Sequence, residues 1–101
     1  MKDNKRFGID EQELKVIVDL IKKSTKVKRV IIFGSRVKGN YKIGSDIDIA
    51  IDGDEVDFNL INEMRVELDE LILPYKLDII DYRQIENIEL KRHIDRVGVS
   101  L

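Results

Sequence analysis

The chain has 101 residues, 43% of them hydrophobic and 38% charged, with 18 basic and 20 acidic side chains for a net charge of −2. This is the size of one small domain with one modest core, and it is too apolar for a disordered chain. The absence of cysteine excludes a disulfide framework, a thiolate zinc site and a thiol nucleophile, while no apolar run is long enough to span a bilayer or act as a signal core, so a cytoplasmic protein is expected.

In chain order, Asp10 with Glu13 three residues on forms a capping-box pattern. Leu14, Ile17, Val18 and Ile21 follow at helical spacing and predict an amphipathic helix over roughly 11–24. "RVIIF" is a short β-branched run ending at Gly34 and reads as a buried strand. "SRVKGNYKIGS" reads as a helical turn followed by a loop, because Gly39, Asn40 and Gly44 break it. "DIDIAI" alternates with period two and predicts a second strand. Ile61, Met64, Leu68 and Leu71 share one face of a helix that Pro74 limits. "KLDIID" predicts a third strand, and Ile85, Ile88, Leu90, Ile94 and Val97 a last helix. The fold class that follows is α+β, a small mixed sheet packed on helices.

Charge is unevenly spread. Lys22 to Ser45 holds eight basic residues and no acid; Asp46 to Glu70 holds ten acids and one basic residue, Arg65. Two solvated faces of opposite sign would account for this, as would a basic surface for phosphates beside an acidic cluster for metal. Lys22, Lys23, Lys26 and Lys28 read as a solvated helix end, and with no aromatic interleaving direct nucleic-acid binding is not expected. Asp52, Asp54, Glu55 and Asp57 read as loop and helix-start charges, Tyr41 as a cover for its loop, and His93 as a surface histidine.

Within "DIDIAID", Asp46, Asp48 and Ala50 share one strand face and Ile47, Ile49 and Ile51 the other. The isoleucines bury the core side. The two aspartates then point the same way, about 7 Å apart at Cα. Carboxylates that close repel unless a cation sits between them, and they suit one Mg²⁺ or a pair of metals. A merely solvated polar strand face is the plain alternative. Gly34-Ser35 precedes this pair by a ten-residue gap. Glycine allows close approach of a ligand, and a helix start with a serine hydroxyl suits an anion. Phosphates at Ser35 beside metals at Asp46 and Asp48 are what nucleotidyl transfer requires.

Gly34-Ser35, the gap and Asp46-Ile47-Asp48 together resemble the signature of the DNA polymerase β-like nucleotidyltransferases. "FGSRVKGNYKIGSDIDIAI" looks most like the minimal nucleotidyltransferases of bacteria and archaea. The resemblance implies that residues 1–101 form a single minimal nucleotidyltransferase domain. It implies that Asp46 and Asp48 bind the metals, and that a third carboxylate from a later strand completes the site. The position matching that carboxylate is Asp78; by alternation Asp81 faces the other way, and it is the choice if the register differs. Arg36 and Ser45 match positions that touch phosphate in such proteins, alongside Gly34 and Ser35. The cofactor implied is Mg²⁺, two ions, with ATP as donor.

Family members of this size are often paired with a HEPN-family toxin and act as its antitoxin by transferring AMP to a tyrosine of the toxin. That is the expected function. Nucleotidyl transfer to a small molecule and neutralisation of a partner by contact alone are the alternatives.

Overall fold

The computed structural model describes residues 5–42 and 44–101. A two-residue hairpin, β1 (Lys5–Arg6) and β2 (Ile9–Asp10), leads directly into α1 (Glu11–Lys22). The Asp10 side chain caps that helix, accepting from the backbone N–H of Gln12 and Glu13. Then come β3 (Arg29–Phe33), the single-turn α2 (Ser35–Lys38), β4 (Ile47–Asp52), α3 (Phe58–Asp69), β5 (Leu77–Asp81), a 3₁₀ turn (Tyr82–Gln84), α4 (Ile88–Val97) and β6 (Val99–Ser100).

The main sheet has strand order β5-β4-β3-β6. β3 runs antiparallel to β4 and to β6, whereas β5 runs parallel to β4, so the sheet is mixed. A parallel pair needs a crossover, and α3 supplies it. One face carries α1 and α3, with Ile17, Ile21, Ile32, Ile49 and Ile51 fully buried between them. Truncating one of these, for example Ile17→Ala, costs about 2–5 kcal/mol.

The opposite face is not bare. Ala50 is fully buried there, beside Ile31 and Phe33 of β3 and packed with Ile94 of α4. The aspartates of β4 therefore share a strand face that is covered at its far end. His93 is half-buried, edge-on to Phe33, rather than a surface residue.

The predicted elements are all present, with three differences. Leu71 lies beyond α3, whose buried face is Ile61, Met64 and Leu68. Ile85 lies before α4, which starts at Ile88 on an Asn87 cap. β1, β2 and β6 carry no period long enough to be read from two residues each, and β6 is nevertheless the strand that closes one side of the sheet.

Asp57 does cap a helix, accepting from Leu60 N–H at 2.9 Å. Asp52 does not behave as a loop charge. It is 7% exposed and receives Arg29 at 2.8 Å and Arg83 at 2.8 Å. Burial alone would raise its carboxyl pKa, but the hydrogen bonds from Arg83 and Arg29 outweigh this and hold it below the ordinary range. Asp54 joins the same group through Lys28 and Arg83.

Candidate active site

The pairing register brings three residues into one row across the sheet. Asp48 lies opposite Phe33 of β3 on one side and beside Asp78 of β5 on the other. Neighbouring strands are about 4.8 Å apart, and paired residues share a face, so Asp48 and Asp78 are next to each other in the row. Asp46 stands just before β4, two residues from Asp48, and is exposed. Asp78 is also exposed, on the outermost strand. Asp81, the alternative third carboxylate, falls opposite Ile51 at the far end of β5. Its Oδ1 caps the 3₁₀ turn through Arg83 N–H at 3.1 Å.

Asp48 is half-buried, and its carboxyl is pushed above the ordinary range. Burial is the largest cause; the negative charges of Asp78 and Asp46 follow, and only the charge of Arg36 opposes them. Three carboxylates thus share one small region, with their mutual repulsion only partly offset by Arg36.

Gly34 closes this region from the β3 side. It caps α2 with φ 83° and ψ −154°, a combination open essentially to glycine alone. A side chain there would run into the Asp48 carboxylate. The glycine therefore meets two demands at once, a backbone conformation and a close approach. Ser35 is the first residue of α2, partly exposed at its start. Ser45 is partly exposed, and its hydroxyl accepts from Lys42 N–H at 2.8 Å, shaping the loop that delivers Asp46.

Arg36 is 3% exposed and turned into the fold. Its Nε and Nη2 donate to the Ser45 carbonyl at 3.2 and 2.8 Å, and Nη1 donates to the Phe7 carbonyl at 3.0 Å. The guanidinium lies between the rings of Tyr41 and Tyr75, 5.1 and 5.2 Å from their centroids. Tyr41 is thus the cover expected of it, laid over an arginine. Arg36 ties the hairpin, the loop before β4 and the loop before β5 together. No pattern in the sequence marks Phe7, Tyr75 and Arg36 as partners, because they are far apart along the chain.

The donor set suits a hard divalent cation: carboxylate oxygens only, no sulfur and no histidine. Among the described residues, no three acids are drawn tightly enough together to hold an ion as they stand. Burial first, and then the negative charges of Asp78 and Asp46, push the Asp48 carboxyl up, and like charges favour side chains that stand apart. The residues therefore fit Mg²⁺ by chemistry and by placement on the backbone. A cleft of about 710 Å³ lies elsewhere, toward the far end of β5, and none of the three carboxylates lines it.

Residues 15–101 match the family described as "Polymerase beta, Nucleotidyltransferase". A Haemophilus influenzae protein named "Probable protein adenylyltransferase MntA" is 33% identical over 78 residues, covering 76% of this chain and 68% of the relative. A Methanocaldococcus jannaschii protein, also named for protein adenylyl transfer, is 35% identical over 78 residues, covering 75% of this chain and 78% of the relative. Among solved structures, a toxin–antitoxin with AMP-PNP matches with TM-score 0.70 and 25% identity over 85% of this chain and 69% of that one. A mutant of the toxin–antitoxin MntA-HpeT matches with TM-score 0.67 and 28% identity over 88% of this chain and 70% of that one. No helix among the described residues is long and apolar enough to cross a membrane. The Gly-Ser turn against a carboxylate row, the mixed sheet that holds it and these matches agree: the chain is a nucleotidyltransferase and belongs to the polymerase β nucleotidyltransferase family.

Proposed function

We propose that residues 1–101 act as one minimal nucleotidyltransferase domain that moves AMP from ATP to a tyrosine hydroxyl of a HEPN-type toxin, and so serves in the cytoplasm as its antitoxin. The observation that carries this reading is the half-buried Asp48 held beside Asp78 and Asp46 with Gly34 pressed against it. A fold gains nothing from crowding three like charges unless a cation and a polyanion are to meet there. The toxin as acceptor is supported by the relatives named for protein adenylyl transfer and by the toxin–antitoxin structures.

Asp46, Asp48 and Asp78 are the residues that would hold Mg²⁺, which, when bound, offsets negative charge on the phosphates and on the reacting oxygen. The N–H groups at the start of α2 and the Ser35 hydroxyl donate to the terminal phosphates, which Gly34 lets come close. Ser45 retains its own O–H for a phosphate oxygen. Arg36 acts on the phosphates through its charge and by fixing the loop that carries Ser45 and Asp46. Asp78, exposed on the outermost strand, is the carboxylate an incoming hydroxyl meets. It takes the hydroxyl proton as the oxygen bonds to the α-phosphorus and pyrophosphate leaves with the broken P–O bond.

The test is to incubate the chain with its cognate HEPN-type protein and Mg²⁺-ATP and to weigh both proteins intact. Discrete AMP additions on the partner are expected with the wild type. Asp78→Asn should bind ATP and partner and add nothing. A partner left unmodified, yet inhibited equally by both forms, would establish neutralisation by contact instead. A modified small molecule with no modified protein would establish the other alternative.

A further inference from the structure

The cleft of about 710 Å³ at the far end of β5 is not used by the chemistry described above. Its floor is apolar, with Ile61, Ile80 and Leu90 from α3, β5 and α4. Two large apolar side chains stand at or beside its rim: Phe58, which lines it, is 74% exposed, and Ile88, next to the lining residue Asn87, is 65% exposed. A small molecule seated on the floor would leave both of those side chains in water. Large apolar side chains standing around an apolar depression are what a protein interface needs.

The charge of the cleft is one-sided. Asp57, Asp81 and Glu86 line it against Arg65 alone. Arg65 is already committed, its Nη2 donating to the Ile79 carbonyl at 3.0 Å. Asp81 Oδ2 is buried and has no hydrogen-bond partner among the described residues, a costly condition for a carboxylate oxygen. The missing complement is an N–H donor, preferably cationic. Because Arg65 occupies an outward carbonyl of the edge strand, an added β-strand is disfavoured, and docking is by side chains.

Position completes the case. Asp81 and Asp78 lie on the same outer strand, three residues or about 10 Å apart on alternate faces, and Ile80, which also lines the cleft, shares the face of Asp78. A protein gripping the cleft holds a hydroxyl within reach of Asp78. We propose that this cleft is the docking surface for the acceptor protein, which seats apolar side chains between Phe58 and Ile88 and sets a lysine or arginine against Asp81. The proposal rests on the reading above that the acceptor is a protein.

The test compares wild type with a Phe58→Asp/Ile88→Asp double variant and with Asp81→Asn. Both rim residues are exposed, and acids at the first position of α3 and α4 suit those helix starts, so the fold should persist. Modification of the cognate HEPN-type protein should fall about tenfold or more in the double variant, the effect of losing two anchors. It should fall less in Asp81→Asn. Slow AMP transfer to free N-acetyltyrosinamide should be unchanged in all three. Partner modification at the wild-type rate by the double variant would overturn the proposal. If the wild type modifies no protein, the reading of function fails, and calorimetric binding of the same partner then decides alone: affinity lost in the double variant supports the surface, and affinity unchanged or absent in the wild type overturns it. Sedimentation of the chain by itself is the last arm; self-association abolished by the double variant would assign the cleft to a second copy and overturn the proposal.

Discussion

Asp48 and Asp52 sit four residues apart on one strand and solve opposite problems. Asp52, at the far end of β4, is buried and met by two arginines, so its carboxyl is held low. Asp48, at the near end, is half-buried and met by two more aspartates, so its carboxyl is pushed up. Both are Asp in an isoleucine-rich strand, and neither local sequence nor side-chain type separates them. The difference separates a charge the fold uses to hold itself together from one that, on the proposed function, is left for a ligand.

Four changes would break or sharpen that contrast. Asp48→Asn should abolish AMP transfer, by about a thousandfold or more. It should also melt slightly higher than wild type without ligand at neutral pH, because repulsion is relieved. A calorimetric scan beside an intact-mass assay would show both, and a variant that stays active or unfolds would refute the assignment. Gly34→Ala should cost about 3 kcal/mol, from a backbone conformation alanine resists and from a methyl group against Asp48. Transfer should fall with it, as measured by urea unfolding and the same assay.

Asp52→Asn should lose about 2 kcal/mol of stability, since it strips charge from two hydrogen-bonded ion pairs. The folded fraction should still transfer AMP, which separates this carboxylate from Asp48. The smallest effect is in the acid limb of the stability profile. Asp52 has a lowered carboxyl, so its contribution is present above about pH 4 and is lost as pH falls through its folded value. Asp48 has a raised carboxyl, so its cost is complete above its folded value and is relieved as pH falls. Denaturant midpoints measured from neutral pH downward should therefore fall less steeply in Asp52→Asn. The advantage of Asp48→Asn over wild type should disappear in acid.

The elements were legible where a long period or a cap marked them. Asp10 and the Leu14, Ile17, Ile21 stripe place α1, and alternation in "DIDIAID" places β4 with its isoleucines inward. Alternation in "KLDIID" also separates Asp78 from Asp81, and the register sets Asp78 in line with Asp48. Gly34-Ser35 and Asp46-Ile47-Asp48 mark the candidate site because a close backbone approach and paired carboxylates are local requirements, written in adjacent residues.

Only the tertiary structure decided the rest, because the partners come from distant stretches. It covered both faces of the sheet, burying Ala50 under α4 although Ala50 shares its strand face with the aspartates. It turned Arg36 inward between Tyr41 and Tyr75, which lie on different loops. It gave Asp52 two arginines from 23 and 31 residues away. It also assembled the cleft beyond β5 from α3, the 3₁₀ turn and α4. A carboxylate's chemical type is set by the sequence, but its charge state depends on which groups reach it, and that is a property of the packed chain.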